Sequence, residues 1–335
     1  MTSQAALIEV RHLHKYFFRR PDLAERLASW LGSSFDAHTV KAVDAVNLAI
    51  HPGEVLGLVG ESGCGKSTLG RVMAGIIEPT QGDCYFEGVA SADQTPEHAR
   101  AAQLAVQMVF QDPLSSLNPR KRVIDIVGEA PVVHGLIDTA QREDYVASLL
   151  QKVGLDPALM TRFPHQFSGG QRQRIGIARA LAVKPRVLVC DEAVSALDVS
   201  IQAQVLNLFM DLRESLGLTY LFISHDLGVV QHISDRVAIM YLGRVVETAS
   251  TEEIYQNPRH PYTQALLKEI PIIGSGKRLY SGVKGELASA LKPPSGCHFH
   301  PRCPHATDRC RQEAPLLEVS ASGHATACHL PSAHL

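Results

Sequence analysis

The segment "GESGCGKST" at 60–68 has the residue types that bind a chain of phosphates. It fits the pattern G-x-x-x-x-G-K-[ST], follows an apolar run and opens a helical pattern, which is the context that this phosphate-binding loop requires. Its glycines let backbone N–H groups surround the phosphates, and the helix N-terminus adds its dipole. A glycine-rich turn formed by chance is the alternative. The predicted phosphate-binding residues are Gly60, Gly63, Gly65, Lys66, Ser67 and Thr68.

A second segment, "RVLVCDE" at 186–192, provides two adjacent carboxylates at the end of an apolar strand. Buried carboxylates are costly unless they meet a metal or a positive charge. We expect Asp191 to lie in a Mg²⁺ shell with the Ser67 hydroxyl, Lys66 to reach the β- and γ-phosphates, and Glu192 to polarise an attacking water. Together the two segments predict a P-loop nucleotide hydrolase.

A third segment, "FSGGQRQR" at 167–174, predicts a second anion-binding helix start, although a plain helix cap is the alternative. The order of the motifs argues against a simple cap. The loop at 60 is followed by Gln111 at the end of "AVQMVFQ", then by "SGGQ", the "DE" pair, "SALD" at 195–198 and His225 in "ISHDL".

This series resembles the nucleotide-binding subunit of an ATP-binding-cassette (ABC) transporter over about 7–250. The resemblance implies a head-to-tail dimer, with ATP and Mg²⁺ held between the P-loop of one subunit and the SGGQ segment of the other. It implies that Glu192 is the general base and that Tyr16 stacks on adenine. The other implied roles are Mg²⁺ sensing by Gln111, γ-phosphate contacts by Lys66 and His225, contact with the opposite site by Asp198, and binding of the partner's ATP by Ser168, Gly169, Gly170 and Gln171.

Composition places the 335-residue chain among ordinary globular proteins, with 45% hydrophobic and 20% charged residues. Its 32 Lys and Arg against 34 Asp and Glu give a net charge of −2, which argues against a nucleic-acid partner. We find no apolar run of the roughly 18 residues that a bilayer span needs, and no signal-peptide pattern. The sequence therefore predicts a cytosolic chain.

The pattern of apolar runs predicts an α/β fold with a mostly parallel core sheet, an antiparallel β subdomain and a helical subdomain. Continuous apolar runs predict buried parallel strands at 54–60, 186–191 and 218–224, and alternating runs at 7–17 and 40–50 predict antiparallel ones. Helices are expected at 66–77, 171–183 and 200–216 and through 119–165. The predicted division is an ATPase domain at 1–250, with its helical subdomain at about 112–172, and a Cys-rich extension at 251–335.

An early segment, "RRPDLAERLASWLGSS", predicts a short amphipathic helix. Leu23, Leu27, Trp30 and Leu31 share one helical face, and Gly32 follows the end. One interpretation docks this helix on its own domain. The other is a contact with a membrane-embedded partner.

Four cysteines gather near the C-terminus with the spacing C-x5-C-x6-C-x17-C: Cys297, Cys303, Cys310 and Cys328. An odd total of seven cysteines in a cytosolic chain speaks against a disulfide framework. Four thiolates can bind Zn²⁺ or an iron–sulfur cluster, and the spacing does not decide between them. Neighbouring histidines could replace a thiolate in a zinc site, namely His298, His300, His305 and His329.

Three further segments resemble ATP-binding subunits of dipeptide and oligopeptide importers: "QDPLSSLNPR" after Gln111, "NPRHPYTQALL" at 257–267 and the cysteine-rich tail. The resemblance implies a 4Fe–4S cluster and a peripheral position on the cytoplasmic face of the cell membrane. It also implies a non-identical sibling ATPase, two membrane permease subunits and an extracytoplasmic solute-binding protein. Import of another solute such as nickel, and a non-transport ABC ATPase, are the alternatives. Intact Lys66, Glu192 and His225 argue against an inactive cassette.

Overall fold

The computed structural model describes residues 5–18, 39–269 and 289–330. The segment with Leu23, Leu27, Trp30 and Leu31 lies outside these described residues. Two sheets organise the fold. The strands are β1 Ile8–Phe18, β2 Thr39–Ile50, β3 Val55–Val59, β4 Gln81–Phe86, β5 Val89–Ala90, β6 Val106–Val109, β7 Val187–Asp191, β8 Thr219–Ser224, β9 Arg236–Tyr241, β10 Arg244–Ser250, β11 Glu318–Val319 and β12 Ala325–Thr326.

The larger sheet has eight strands in the order β11-β12-β10-β9-β3-β8-β7-β6, and its centre is parallel. Every residue of β3, β7 and β8 is buried, which explains why these strands are continuous apolar runs. The three predicted parallel strands are confirmed. Because parallel strands end at one edge of a sheet, the residues that follow β3, β6, β7 and β8 meet there.

The smaller sheet is antiparallel, with the order β2-β1-β4-β5, as the alternating patterns of the first two strands predict. Ile8, Val10 and Leu13 of β1 are buried, and they pack with Leu56 and Leu58 of the parallel sheet in one hydrophobic core. The register of β1 against β2 shifts near Leu13 and again beside Lys15, so the alternation breaks before the strand ends.

The helices cover the parallel sheet and form the region between β6 and β7. The predicted helix at 66–77 is wrong at its C-terminal end, because the helix stops at Met73 and Gly75 has a φ of +68°. The helices are Lys66–Met73, Pro96–Ala105, Pro113–Ser116, Val123–Val133, Arg142–Lys152, Gly169–Leu181, Val199–Leu216, Leu227–Ile233, Thr251–Gln256, Pro261–Leu267 and Asp308–Gln312, with short 3₁₀ turns at Ser91–Asp93, Thr139–Gln141, Pro157–Thr161 and Pro164–Gln166.

The C-terminal residues extend the larger sheet. Strand β12 pairs with β10, where Thr326 lies opposite Glu247, and β11 pairs with β12. Glu247 is fully buried, and its carboxylate accepts hydrogen bonds from the backbone N–H groups of Arg259 and His260 and contacts His324 Nε2 at 2.6 Å. The tail is therefore hydrogen-bonded to the sheet that carries the P-loop.

The described ranges contain no helix that combines the length and apolarity needed to cross a membrane.

Candidate nucleotide-binding site

A cavity of about 440 Å³ opens over the P-loop at the carboxyl edge of the parallel sheet. Residues from β1, β2, the P-loop and the ends of β6 and β7 form its wall. This arrangement brings together residues from three of the sequence motifs, namely the P-loop, the segment that ends at Gln111 and the carboxylate pair. The lining residues are Phe17, Val40, Ala42, Ser62, Gly63, Gly65, Lys66, Ser67, Thr68, Gln111 and Glu192.

Two glycines allow the P-loop to fold against its neighbours. Gly65 has a φ of +108°, and a Cβ atom there would lie 2.0 Å from the carbonyl oxygen of Ala42. A Cβ atom on Gly60 would lie 2.1 Å from the carbonyl oxygen of Met240. Only glycine fits either position without moving backbone, which is the physical reason for the two ends of the G-x-x-x-x-G pattern.

Lys66 lies beneath the loop and is only 4% exposed. Its ammonium donates hydrogen bonds to the carbonyl oxygens of Gly60 at 2.7 Å and Glu61 at 3.0 Å. A buried ammonium needs such partners, since an unpaired charge in the interior is costly. The contacts place a positive charge on the floor of the cavity.

Ser67 and Asp191 lie side by side at the same edge. The Ser67 hydroxyl donates to Asp191 Oδ1 at 2.6 Å, and Arg71 Nη2 is 3.9 Å from Oδ2. Burial raises the pKa of Asp191 above its ordinary value, although the Ser67 hydrogen bond and the Arg71 charge oppose this shift. Hydroxyl and carboxylate oxygens are ligands that Mg²⁺ prefers, so the pair fits a magnesium ion.

Glu192 links two other strand ends. Its carboxylate accepts a hydrogen bond from Gln111 Nε2 at 2.8 Å and lies 3.4 Å from His225 Nδ1. The Glu192 backbone has a φ of +47°, and its N–H donates to the carbonyl oxygen of Ile223 at 3.0 Å. A left-handed backbone at a non-glycine residue is strained, and such strain is common at functional sites. The structure thus brings Gln111, Glu192 and His225 together.

The structure places Phe17, and not Tyr16, in the wall of the cavity. The Tyr16 hydroxyl donates to Asp44 Oδ1 at 2.9 Å, and Arg244 donates two hydrogen bonds to the other oxygen of Asp44. Burial and the neighbouring carboxylate raise the pKa of Tyr16 to about 12. Sequence reasoning missed Phe17, because the only signal is strand alternation and β1 is irregular beside Lys15.

The SGGQ segment lies at the start of the helix Gly169–Leu181. Ser168 accepts a hydrogen bond from the Gln171 N–H, and the Gln171 side chain accepts one from the Ser168 N–H. Ser168 and Gly169 are exposed, as is Asp198 before the helix Val199–Leu216, and none of the SGGQ residues lines the cavity. The structure therefore does not bring this segment to the P-loop of the same chain.

The four C-terminal cysteines converge, but not as a finished ligand set. No group of three or more His, Cys, Asp or Glu side chains in the described ranges is arranged to hold a metal ion, so the predicted cluster gains no support from a preformed site. Burial, with smaller contributions from nearby Cys310, Cys328 and Cys303, raises the pKa of Cys297 to about 11. Burial raises the pKa of Cys303 above its ordinary value, and nearby Cys328 and Cys310 contribute in the same direction. Four neighbouring free thiols suit a thiolate-bound metal chemically.

Comparison with protein families gives two matches. Residues 43–195 match the ABC transporter family, and residues 246–310 match the family described as the oligopeptide/dipeptide transporter C-terminal region. The first range contains the P-loop, Gln111, SGGQ and Glu192 motifs. The second begins inside β10 and ends at Cys310.

Curated relatives match nearly the whole chain. The oligopeptide transport ATP-binding protein AppF of Bacillus subtilis is 49% identical, over 98% of this chain and 99% of that protein. The dipeptide transport ATP-binding protein DppF of Haemophilus influenzae is 49% identical over 86% and 89% of the two chains. The oligopeptide transport ATP-binding protein OppF of Escherichia coli is 48% identical over 87% and 88%.

Solved structures agree with these matches. A cbiO1 structure from Clostridium perfringens, part of an ABC transporter complex, has a TM-score of 0.60 and 25% identity over 75% of this chain and 90% of that one. A dimeric post-hydrolysis state of the ATP-binding cassette MJ0796 bound to ADP and Pi has a TM-score of 0.61 and 25% identity over 73% and 98%. The chain therefore belongs to the ATP-binding proteins of ABC transporters, in the group that carries the oligopeptide/dipeptide transporter C-terminal region.

Proposed function

We propose that this chain is the ATP-hydrolysing subunit that powers import of peptides through a separate membrane permease. One observation is the main support for the ATPase activity. Gln111 and His225 both contact Glu192, beside the P-loop cavity that Lys66 helps to line. The peptide cargo is supported by the relatives, whose names describe oligopeptide or dipeptide transport.

Each side chain of the site has a role in hydrolysis. Lys66 and the N–H groups of the P-loop bind the β- and γ-phosphates of ATP. Ser67, Asp191 and Gln111 would hold Mg²⁺, which neutralises phosphate charge when bound. Glu192 accepts the proton of the attacking water, and His225 contacts the γ-phosphate. The hydrogen bond from Gln111 orients the Glu192 carboxylate.

The active form in this proposal is a head-to-tail dimer with a sibling ATPase. Exposed Ser168, Gly169 and Asp198 provide a surface that a second cassette can cover, and the dimeric MJ0796 structure supports the same arrangement. In the dimer, the SGGQ segment of one chain binds the ATP of the other. Two permease subunits would hold the pair at the cytoplasmic face of the cell membrane, and an extracytoplasmic protein would supply the solute.

We further propose that Cys297, Cys303, Cys310 and Cys328 bind a 4Fe–4S cluster, with Zn²⁺ as the alternative. The convergence of the four thiols supports a thiolate-bound metal. Protein purified without oxygen should then be brown and contain about four irons per chain, and Cys303→Ser should bleach it. Colourless anaerobic protein with one zinc per chain would decide for zinc.

The decisive test of the ATPase role is Glu192→Gln in the assembled transporter. The variant should bind ATP with near-native affinity and lose nearly all phosphate release, because the water loses its proton acceptor. Glu214→Gln, on the exposed face of the helix Val199–Leu216, is the matched control and should hydrolyse normally. Near-native phosphate release by Glu192→Gln would refute the general-base assignment.

A further inference from the structure

The second residue of the P-loop, Glu61, is bonded through its backbone and its side chain to different parts of the chain. Its carbonyl oxygen accepts a hydrogen bond from Lys66 Nζ at 3.0 Å. Its N–H donates to the hydroxyl of Tyr262 at 3.0 Å. Its carboxylate accepts a hydrogen bond from each of the two terminal nitrogens of Arg302, at 2.8 and 3.0 Å. Tyr262 and Arg302 both belong to the C-terminal region, far from the P-loop in sequence.

The Arg302–Glu61 pair is shielded from solvent. The Arg302 side chain is 6% exposed and that of Glu61 is 23% exposed. A two-point guanidinium–carboxylate pair fixes orientation as well as distance, and it is strengthened where water is excluded. Arg302 Nη1 also lies 3.4 Å from the Tyr241 hydroxyl at the end of β9. The pair is therefore a fixed contact, unlike the exposed ion pairs of the surface.

Tyr262 is held with comparable rigidity. Its side chain is fully buried. Its ring centroid lies 4.6 Å from that of Tyr241 and 5.4 Å from that of Phe299, and Tyr241 and Phe299 are 5.3 Å apart. Close packing of these buried rings allows little movement of the Tyr262 hydroxyl. The Tyr262 hydroxyl, which accepts the hydrogen bond from the Glu61 N–H, is thus held in place by the packing of three aromatic rings.

Arg302 itself lies in a tightly turned loop. Its N–H donates to the carbonyl oxygen of Phe299 at 3.0 Å, the His300 N–H donates to Cys297, and the Cys303 N–H donates to His300. Arg302 directly precedes Cys303 in the chain. A change in this loop would therefore move the guanidinium that holds Glu61.

We propose that Arg302 and Tyr262 are positioning residues for nucleotide binding. Through Glu61 they hold the start of the P-loop in the conformation in which its N–H groups and Lys66 receive the phosphates. The C-terminal extension is then part of the nucleotide site, although it contacts no phosphate. This inference rests on the proposed function of the P-loop as the ATP site.

The expected effect is on affinity. Arg302→Met keeps most of the buried apolar volume and removes the charge, which leaves the Glu61 carboxylate without its paired cation. If the P-loop also samples conformations that cannot bind nucleotide, its apparent affinity falls in proportion to the fraction of molecules in the binding-competent conformation. We expect Arg302→Met and Glu61→Gln each to weaken MgADP binding about tenfold, which corresponds to loss of one fixed charge-assisted contact.

The experiment titrates MgADP into the full chain by calorimetry, for the parent, both single variants and the double variant. Both substitutions remove the same Arg302–Glu61 contact. The double variant should therefore bind MgADP no more weakly than either single variant. Arg309→Met is the matched control, since Arg309 lies in the same extension and forms an exposed pair with Glu313. It should bind like the parent.

Unchanged affinity in folded Arg302→Met, or fully additive losses in the double variant, would overturn the proposal. If Arg302→Met does not fold, Tyr262→Phe decides, because it removes only the hydroxyl that accepts from Glu61 and keeps the ring. It should weaken MgADP binding about threefold, as loss of one neutral hydrogen bond does. Affinity equal to the parent would refute the proposal.

Two measurements separate this inference from a purely structural role and from failure of the proposed function. In the assembled transporter, Arg302→Met should raise the KM for ATP with little change in kcat, and Arg302→Lys should restore part of the KM. Lys66→Ala should abolish MgADP binding in the isolated chain. If the parent chain binds no MgADP, the proposed function is overturned. If the parent binds MgADP and Arg302→Met binds it with the same affinity, only the positioning role is overturned.

Discussion

At the residue scale, Asp191 and Glu192 are neighbours in the chain but lie in different surroundings. Asp191 ends a buried strand, its pKa is raised by burial, and it accepts a hydrogen bond from Ser67. Glu192 turns out of the strand with a left-handed backbone, and its carboxylate meets Gln111. Adjacent carboxylates in unlike environments can take unlike roles. The contrast between their surroundings supports the proposed roles of Asp191 as a metal ligand and Glu192 as the general base.

The adenine contact provides a residue-scale prediction. Phe17 lines the cavity and is 44% exposed, whereas the Tyr16 hydroxyl is bound to Asp44. Since stacking of a base on an aromatic ring is worth about 1–3 kcal/mol, Phe17→Ala should weaken ATP binding about tenfold. Fluorescent-nucleotide titration of the folded chain measures this. Tyr16→Ala is the comparison, and a larger loss in that variant would assign adenine to Tyr16.

At the element scale, the two helix starts that we propose as anion-binding sites differ in how they are capped. The helix Lys66–Met73 is preceded by Gly65 in a left-handed conformation and has no side-chain cap, which leaves its first N–H groups turned toward the cavity. The helix Gly169–Leu181 has a capping box between Ser168 and Gln171, and its start is exposed. The first helix start belongs to a cavity of this chain. The second is available to a partner.

The exposed helix start provides an element-scale prediction. Ser168→Arg should leave MgADP affinity at the chain's own P-loop unchanged and abolish ATP-dependent pairing, because it places bulk and charge where the partner's phosphates bind. Thr95→Arg is the matched control, since Thr95 also caps a helix by accepting from a backbone N–H. Light scattering with ATP measures pairing. Normal pairing of Ser168→Arg would exclude the shared site.

Elements with a strong local pattern could be predicted, and elements that depend on distant contacts could not. The strands that end at Val59, Asp191 and Ser224 are continuous buried runs, and the sequence predicts all three. The pairing of β12 with β10 could not be predicted, because two-residue strands have no periodicity of their own. The contact of Arg302 with Glu61 could not be predicted either. It joins residues that no local pattern relates.

The same distinction applies to the candidate site. The P-loop and the adjacent carboxylates are contiguous motifs, so residue spacing alone predicts their chemistry. The face on which Phe17 lies depends on irregular pairing in β1, which spacing does not encode. The metal at the four cysteines likewise stays a prediction, since C-x5-C-x6-C lacks the close pairs of structural zinc sites.

At the scale of the whole molecule, the extension is joined to the core by buried polar groups. Burial alone would raise the pKa of Glu247, but the hydrogen bonds from His324, Thr263 and two backbone N–H groups outweigh it and hold the pKa below the ordinary value. Burial lowers the pKa of His260 to about 4, although the nearby Glu247 charge opposes the shift. The folded junction therefore favours a charged Glu247 and a neutral His260.

Acid should weaken the fold through His260. Between its folded pKa of about 4 and its unfolded value near 6.5, the unfolded chain binds one more proton, so stability falls as pH falls. From pH 7 to pH 5 we expect His260 alone to lower the free energy of unfolding by about 2 kcal/mol. Urea unfolding followed by circular dichroism at both pH values measures this loss.

His260→Asn is the control, because asparagine can still cap the helix Pro261–Leu267 and does not titrate. Its free energy of unfolding should fall by about 2 kcal/mol less than that of the parent over the same pH range. The depressed pKa of His298 affects both proteins alike, and Glu247 begins to lose its charge only at lower pH. Equal losses would show that His260 does not drive the acid sensitivity.

The pairing of β12 with β10 has a consequence for synthesis. At about 5–20 residues per second, the ribosome leaves β10 without its neighbour for several seconds after the core strands have emerged. During this interval β10 is an open edge, and Glu247 lacks His324. An open edge can pair with other nascent chains, so chains stopped before Ala325 should aggregate, whereas complete chains should remain dispersed. Strand β12, which leaves the ribosome after β10, thus covers the edge that β10 exposes until then.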